Sequence, residues 1–351
     1  MPSIKFINEL EKNHITSLYG LEKIIADDDD DCEYLFEAAN RVRQKFVKQE
    51  VHLKALIEIS NICARECFYC GLRSKNKDIK RYKMSAEEIV SRAKEAAISG
   101  YKTVVMQSGE SGAFKDDEIC EIIREIKKFG VQITLSFGEK SFEQYRAYKK
   151  AGADRYLLRI ETADRALYKA LHPNMSLKNR IKCLENLRNL GYETGSGLLV
   201  GLPGSSAKIL ARDLMFLKKY DFDMIGIGPF IPAANTPLEH SKAGSIKLAL
   251  KANALTRLLL PKINIPATTA IETLDPNEGR KMALRSGANV IMPSITQSRY
   301  RDLYRLYPNK FCLKQSAAEI YDKFDEMLSL IGDKISLTNG NSVRFNQRRG
   351  L

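Results

Sequence analysis

Short apolar runs alternate with longer amphipathic stretches from residue 51 to residue 292, and this alternation constrains the fold most. Eight runs have the pattern of a strand: 51–59, 101–107, 131–137, 154–160, 194–200, 223–228, 264–269 and 288–292. Helical segments lie between or after them, near 85–99, 116–129, 141–151, 176–190, 206–219, 245–260 and 276–286. A strand followed by a helix, repeated about every 30 to 40 residues, is typical of parallel sheets. We therefore predict an α/β fold, a complete (β/α)8 barrel of the TIM type, with an open doubly wound sheet as the alternative.

The two ends of the chain lie outside this repeat. Residues 1–50 have a helical pattern and are predicted to form an N-terminal extension, so that the barrel covers 51–308. A helix near 315–331 and a basic tail with Arg344, Arg348 and Arg349 form the predicted C-terminal part, 309–351. No internal repeat or low-complexity linker marks a further boundary.

Composition excludes several classes of protein. Of the 351 residues, 44% are hydrophobic and 28% charged, which is ordinary for a globular chain and excludes disordered or collagen-like sequences. No apolar stretch approaches the roughly 20 residues of a membrane span, and the first residues lack a signal-peptide pattern. The net charge is +13, but the basic residues are dispersed. We expect a soluble cytoplasmic protein with neither a membrane nor a nucleic-acid partner.

Three of the seven cysteines fall within eight residues, directly after the first predicted strand. Cys63, Cys67 and Cys70 form a C-x3-C-x2-C motif, whereas Cys32, Cys120, Cys183 and Cys312 are isolated. Three thiolates on a short loop can bind three irons of a [4Fe–4S] cube and leave the fourth iron to a non-protein ligand. Zinc is the competing metal, but a structural zinc site needs four protein ligands, and no fourth lies nearby in sequence. Three incidental cysteines are the remaining alternative.

This motif, after the first strand of a barrel, resembles that of the radical S-adenosylmethionine (SAM) superfamily. Longer stretches between residues 51 and 308 resemble its branch of HydE-type [FeFe]-hydrogenase maturases, biotin synthases and methylornithine synthases (PylB). They are 57–63 (IEISNIC), 69–73 (YCGLR), 107–110 (QSGE), 151–159 (AGADRYLLR), 201–204 (GLPG), 221–232 (DFDMIGIGPFIP), 265–269 (IPATT) and 288–293 (ANVIMP). The segments 228–232 (GPFIP) and 266–269 (PATT) are the most specific to the maturases. The resemblance implies reductive cleavage of SAM at one [4Fe–4S] cluster to a 5′-deoxyadenosyl radical.

The resemblance also implies a set of SAM-binding residues. Glu110 would contact the methionyl amine, Glu161 the ribose hydroxyls and Arg180 the methionyl carboxylate. The other implied residues are Tyr69, Gln107, Gly109, Ser136 and Gly201. On residue type alone there are structural alternatives: a plain strand-end turn for residues 108–110, a surface ion pair for Glu161, a helix-surface position for Arg180 and a glycine-flanked core strand for 197–201.

A second set is implied to line a cavity that binds anionic groups. Its members are Thr134, Arg155, Arg159, Thr268, Thr269, Met292, Tyr304 and Tyr307. Arg155 and Arg159 lie four residues apart on one strand, so both can point into the barrel. The alternative is that barrel carboxylates satisfy these arginines, that the threonines are core residues and that the tyrosines plug the barrel end.

Two departures from the family pattern qualify this reading. Some relatives hold a second cluster with three C-terminal cysteines, but here only Cys312 stands, with Ile320 and Lys323 at the other positions. We therefore predict no second cluster. Many relatives have a histidine between the arginine and the glutamate of the fourth strand, where this chain has Ile160, predicted to face away from the cavity.

The predicted function is thus SAM cleavage during assembly of the hydrogenase diiron site. The implied partners are an organometallic iron–cysteine or other small-molecule substrate, a low-potential electron donor and companion hydrogenase maturases. Two alternatives stay open within the branch: a methylornithine synthase-like rearrangement and a biotin synthase-like sulfur insertion. A non-catalytic zinc module is the alternative outside it.

Overall fold

The computed structural model describes residues 2–27, 32–311, 313 and 315–350. The strands are β1 (Glu50–Leu53), β2 (Ala55–Ser60), β3 (Thr103–Ser108), β4 (Gln132–Ser136), β5 (Arg155–Leu157), β6 (Glu193–Val200), β7 (Met224–Pro229), β8 (Val290–Ile291) and β9 (Lys334–Ile335). The helices before β6 are α1 (Pro2–Asn13), α2 (Leu18–Ala26), α3 (Glu33–Val47), α4 (Ala86–Ile98), α5 (Asp116–Lys127), α6 (Phe142–Ala151), α7 (Arg165–Leu171) and α8 (Leu177–Asn189). Those after it are α9 (Ala207–Tyr220), α10 (Ile246–Leu259), α11 (Thr269–Leu274), α12 (Gly279–Arg285), α13 (Ser298–Arg301), α14 (Ala317–Leu330) and α15 (Val343–Arg349).

The centre of the fold is a six-stranded parallel sheet in the order β2-β3-β4-β5-β6-β7, with helices in the connections. A second, three-stranded sheet has the order β8-β1-β9 and is also parallel. Consecutive strands are neighbours, as the alternation of strands and helices predicted. Alternate residues face the same side of a strand, so Glu58, Gln107 and Ser136, which are paired in register across β2, β3 and β4, share one face.

Four predicted strands differ from the structure. The run 51–59 is two strands, β1 and β2, separated at Lys54. The run 264–269 is not a strand: Asn264 and Pro266 make only isolated bridges, and helix α11 begins at Thr269. Pro266 has no N–H to donate, which limits the ladder at this point. The runs 154–160 and 288–292 are shortened to β5 and β8, so Arg159 lies beyond the strand that holds Arg155.

These differences bear on barrel closure. The sheet does not close as a continuous ladder, because β7, the segment around residue 265, β8 and β2 are joined through single bridges (Met224 to Asn264, Pro266 to Val290, Leu56 to Ser294). The fold is therefore TIM-barrel-like, with a parallel sheet and α/β connections.

Local sequence signals set the ends of the helices. Ser85, Ser141 and Ser316 each accept a hydrogen bond from a backbone N–H of the first turn, and the glutamate or glutamine three residues later completes a capping box. Helix α6 ends at Gly152, whose φ of 119° favours glycine. The structure also contains three short helices that the sequence pattern did not predict, α7, α11 and α13, and the basic tail forms α15.

The terminal segments pack onto the barrel. Helix α3 packs against α10, and α2 packs against α9, so one apolar core runs from Ile7 to Ile335. Strand β9 pairs with β1, and the segment after it reaches the N-terminal ends of the central strands, where the carbonyl oxygen of Asn339 accepts a hydrogen bond from Thr103 Oγ1 (3.2 Å). Among the described residues, no helix combines the length and apolarity that crossing a bilayer requires.

Candidate functional site

The three clustered cysteines lie on one loop that begins where β2 ends, and all three are half-buried. Asn61 fixes the start of this loop: its amide nitrogen donates to the carbonyl oxygens of Lys80 (2.8 Å) and Leu303 (2.9 Å), and its amide oxygen accepts from the N–H of Tyr82 (2.8 Å). Arg81 Nη1 donates to the carbonyl oxygen of Asn61 (2.7 Å). The loop is therefore held from segments that follow it in the chain.

The end of β3 contacts the same loop at its first cysteine. Gly109 lies so close that a Cβ atom there would stand 2.4 Å from the carbonyl oxygen of Ile62 and 2.7 Å from Cys63 Cβ. Real Cβ atoms do not approach that closely, so glycine is required at this position. The N–H of Ala64 also donates to the carbonyl oxygen of Glu110 (2.8 Å).

The segment after α7 contacts the loop between the second and third cysteines. The N–H of Phe68 donates to the carbonyl oxygen of Leu171 (3.0 Å), and the Tyr69 hydroxyl lies 2.8 Å from His172 Nε2. Cys67 Sγ lies 4.0 Å from the thioether sulfur of Met175. Three separate connections of the barrel thus shape one short loop.

Burial shifts the pKa values of the three thiols of this loop. Burial raises the pKa of Cys63 and Cys70, and it raises that of Cys67 to about 12. Bound iron reverses this effect, because a coordinating thiol is deprotonated outright. Among the described residues, no three His, Cys, Asp or Glu side chains are arranged to hold a single metal ion. A cube takes one thiolate per iron, so its ligands need not converge on one point, and the donor set fits a [4Fe–4S] cluster.

Three of the ion pairs near the cysteine loop involve residues implied to bind SAM. Arg65 pairs with Glu110, and Arg180 Nε lies 2.8 Å from Glu139 Oε1. Arg159 Nη2 lies 3.1 Å from Glu161 Oε2. Glu110, Glu161 and Arg180 are the three residues implied to bind the polar groups of SAM. Each of them has a charged partner: Arg65, Arg159 and Glu139, respectively.

The backbone and the charge of Glu161 are both unusual. Its φ is 63°, in the left-handed region that side chains other than glycine rarely adopt, and such strain concentrates at functional sites. Burial raises the pKa of Glu161, although Arg159 and Arg180 oppose the shift. Burial acts to lower the pKa of Arg180, but Tyr168 and Glu139 hold it above its usual value.

The remaining residues of the implied SAM set lie at strand ends. Gln107 and Ser136 are half-buried and paired in register near the ends of β3 and β4. Gly201 follows β6 with φ 80°, and a Cβ there would lie 2.5 Å from the Cα of Gly244. Glycine is therefore needed at residue 201 for the chain itself to pack.

Arg155 and Arg159 have different surroundings. Arg155 is 2% exposed at the start of β5, where it pairs with Glu193 and donates to Thr103 Oγ1 (3.1 Å) and to the carbonyl oxygen of Asn339 (2.7 Å). These contacts favour the alternative of an arginine satisfied by protein groups. The Arg159 side chain is 31% exposed, and its contacts include Glu161, so it remains accessible to a ligand.

The other implied cavity residues are spread over four elements. Thr134 is buried on β4, and its hydroxyl has no hydrogen-bond partner among the described residues. Thr268 donates to the carbonyl oxygen of Ile227 (3.2 Å) and precedes α11, while Thr269 opens that helix. Met292 follows β8 and is half-buried.

A cavity of about 520 Å³ lies between the loop after the cysteines, the loop after β7 and residues 301–310. Tyr304 and Tyr307 line it, together with Lys310. Burial raises the pKa of Tyr307 to about 12. Lys310 also reaches the barrel interior, where it pairs with Glu58, a side chain with no solvent exposure.

Sequence reasoning missed several groups of this site. Glu58 accepts from Ser294 Oγ and Thr296 Oγ1 (both 2.6 Å) in addition to its pairing with Lys310. Burial acts to raise the pKa of Glu58, but Lys310 holds it below its usual value. A glutamate within an otherwise apolar strand was the available signal. No comparable signal marked Arg65, Glu139 and His172, because their partners are distant in the chain. The isolated Cys312 lies outside the described residues.

Comparisons with known proteins give consistent matches. The family model described as Radical SAM superfamily matches residues 57–229. The [FeFe] hydrogenase maturase subunit HydE of Thermotoga maritima is 50% identical over 334 residues, which cover 95% of this chain and 96% of that protein. The 3-methylornithine synthase of Methanosarcina acetivorans is 29% identical over 286 residues, covering 81% of this chain and 79% of the other. The crystal structure of methylornithine synthase (PylB) has a similar fold, with a TM-score of 0.83 at 24% identity over 94% of this chain and 97% of that chain.

Proposed function

Because this chain belongs to the radical SAM superfamily and, within it, to the HydE maturases, we propose that it cleaves SAM during assembly of the [FeFe]-hydrogenase diiron site. The observation that carries the proposal is the set of three cysteines, Cys63, Cys67 and Cys70, on one braced loop. When bound, a [4Fe–4S] cluster supplies the electron that cleaves SAM to methionine and a 5′-deoxyadenosyl radical.

The chain's own residues would bind and orient the reactants. Cys63, Cys67 and Cys70 would hold three irons, and the fourth would remain for the amino and carboxylate groups of SAM. Arg180 would pair with the methionyl carboxylate in exchange for Glu139, since a guanidinium binds carboxylates in a forked geometry. Glu161, strained and half-buried a few residues after the fourth central strand, would accept hydrogen bonds from the ribose hydroxyls.

Glu110 lies beside the cysteine loop and is paired with Arg65. It would exchange this partner for the methionyl amine of SAM. Gln107, Gly109, Ser136 and Gly201 would shape the walls around the nucleoside, with Tyr69 next to the cluster. Support for this arrangement comes from their common position at the C-terminal ends of parallel strands, where such barrels carry their sites.

The substrate would enter through the cavity lined by Tyr304 and Tyr307. Arg159, which does not line this cavity, would meet the anionic groups of the substrate farther inside, together with Thr134, Thr268, Thr269 and Met292. Arg155 is the weakest member of this set, because its donors already bind protein acceptors. The proposed substrate class is an organometallic iron–cysteine compound, and the proposed partners are companion maturases and a low-potential electron donor.

Three finer points also belong to this proposal. We propose a complete eight-stranded barrel, supported by the bridges at Asn264, Pro266 and Ser294, which lie where the missing ladder would run. We propose a cytoplasmic protein divided into 1–50, 51–308 and 309–351. We propose a single cluster, since Ile320 is packed in the apolar core and Lys323 offers no thiolate.

Anaerobic reconstitution tests the central claim. We expect about four iron and four sulfide per chain, and 5′-deoxyadenosine after reduction with dithionite in the presence of SAM. Cys63→Ala, Cys67→Ala and Cys70→Ala should each abolish cleavage, whereas Cys120→Ala, on α5 away from the loop, should retain it. Full cleavage in any of the first three variants, or one zinc per chain with SAM intact, would refute the proposal.

Two further assays address SAM binding and the substrate. Glu161→Ala and Arg180→Ala should weaken SAM binding while the iron content is retained; unchanged affinity contradicts those assignments. Activation of a cluster-free diiron hydrogenase by the reconstituted protein together with companion maturases tests the physiological role. Formation of methylornithine from lysine would instead identify a rearrangement enzyme.

A further inference from the structure

His172 is buried directly behind the cysteine loop, with both ring nitrogens engaged. It is 2% exposed, its Nδ1 lies 2.9 Å from the carbonyl oxygen of Tyr168, and its Nε2 lies 2.8 Å from the Tyr69 hydroxyl. The imidazole stacks on the Tyr168 ring, with centroids 4.1 Å apart and planes at 20°. The Tyr69 ring meets it edge-on, at 5.4 Å and 76°.

These contacts determine the direction of each hydrogen bond. A backbone carbonyl only accepts, so Nδ1 must carry the hydrogen that it donates to Tyr168. In a neutral imidazole the other nitrogen then accepts, so the Tyr69 hydroxyl donates to Nε2. The neutral form is favoured because the ring is buried and Arg180 places a positive charge nearby.

Residues 171 and 172 hold the cysteine loop at two adjacent points. The carbonyl oxygen of Leu171 accepts from the N–H of Phe68, and His172 accepts from the side chain of Tyr69. Phe68 and Tyr69 are the two residues between the second and third cysteines. The backbone hydrogen bond holds Phe68 against the end of α7. The side-chain hydrogen bond fixes the orientation of Tyr69, because its side chain cannot rotate without losing its acceptor.

We propose that His172 is a positioning residue for SAM cleavage, acting through Tyr69 to hold the segment between Cys67 and Cys70 in the geometry that receives SAM. This inference rests on the proposed function, since it concerns the same site. Neither ring nitrogen is left to coordinate iron, because both already have partners. His172 therefore does not complete the cluster; it orients the residue between two ligands.

Two amide substitutions separate the roles of the two nitrogens. In His172→Asn the amide can replace Nδ1 and donate to Tyr168, but it cannot reach Tyr69. In His172→Gln the amide oxygen can reach the position of Nε2 and accept from Tyr69. We expect full iron content in both variants, a SAM dissociation constant raised about tenfold in His172→Asn, and a smaller change in His172→Gln, as the loss of one buried hydrogen bond predicts.

Spectroscopy and a double variant complete the test. The electron paramagnetic resonance spectrum of the reduced cluster should change on SAM addition in wild type and His172→Gln, and should change less in His172→Asn. Tyr69→Phe should weaken SAM binding as His172→Asn does, and the double variant should be no weaker than either single variant. A change that merely loosened the fold would lower the unfolding midpoint without this rescue by glutamine.

The outcomes are distinct from a failure of the proposed function. If wild type binds no cluster or cleaves no SAM, the proposed function fails. If wild type is active and His172→Asn has unchanged SAM affinity and an unchanged spectrum, the role of His172 is refuted. Equal losses in the asparagine and glutamine variants, or additive losses with Tyr69→Phe, refute it as well.

Discussion

Lys54 separates β1 from β2 and places its ammonium group inside the N-terminal end of the barrel. The side chain is 1% exposed, and its Nζ has no hydrogen-bond partner among the described residues. Burial, reinforced by the positive charge of Arg155, lowers its pKa from 10.5 to about 7, although Glu193 opposes the shift. A lysine in this setting should destabilise the fold and make its stability depend on pH.

The magnitude follows from the shift in pKa. A tenfold change in proton affinity corresponds to about 1.4 kcal/mol, so a pKa lowered to about 7 costs about 4 to 5 kcal/mol near neutral pH. Between pH 7 and pH 10 the unfolded chain holds this proton and the folded chain has released it, so the free energy of unfolding rises with pH. The rise from this residue should be about 2 kcal/mol between pH 7 and pH 9.

Lys54→Met removes the charge and keeps a side chain of similar length. We expect this variant to be more stable than wild type at pH 7 by at least about 2 kcal/mol, and to lack the wild-type rise between pH 7 and pH 9. Urea unfolding of the cluster-free protein under reducing, anaerobic conditions measures both effects. Lys102→Met, at an exposed position before β3, is the control and should follow wild type. Equal pH dependence in wild type and Lys54→Met would refute the reasoning.

Two further predictions concern Glu58 and Gly109. Lys310→Met should lower the free energy of unfolding by about 3 kcal/mol, because it leaves the fully buried Glu58 carboxylate without its cation. Adding Glu58→Gln should recover most of this loss. Additive losses of the two substitutions in urea unfolding would contradict the prediction. Gly109→Ala should reduce the iron bound on reconstitution to less than about half of the wild-type amount, since the added Cβ would overlap Ile62 and Cys63. Gly112→Ala is the control: it has open space around its Cβ and should bind iron normally. Iron determination in which both glycine variants behave alike would exclude the steric explanation.

Local sequence predicted those features whose causes are local. The helix starts at Ser85 and Ser141 follow from capping residues that contact only their own first turn. Strands β3, β4 and β6 follow from apolar runs bounded by turn residues. The prediction of a strand at 264–269 was wrong. The β-branched residues of this run are typical of a strand, but Pro266 interrupts the ladder and Thr269 begins a helix.

The candidate site divides in the same way. The cysteine spacing belongs to a single loop, so the sequence was sufficient to identify it. The close approach of Gly109 to Ile62 and Cys63 joins the end of β3 to that loop, and only the fold brings these residues together. Arg155 shows the limit of that reasoning: periodicity placed it inside the barrel, but the residues that occupy its guanidinium, Glu193 and Asn339, come from another strand and from the chain's C-terminal part.

By itself, the sequence determined the succession of strands and helices and the three thiols on one turn, because periodicity and short spacing act within a few residues. The tertiary structure alone decided which charges neutralise each other and what lies behind the cysteine loop. Glu58 meets Lys310 across 252 residues, and Tyr69 meets His172 across 103. Such pairs depend on how the fold brings distant connections together, since buried polar groups must find partners wherever the packed chain provides them.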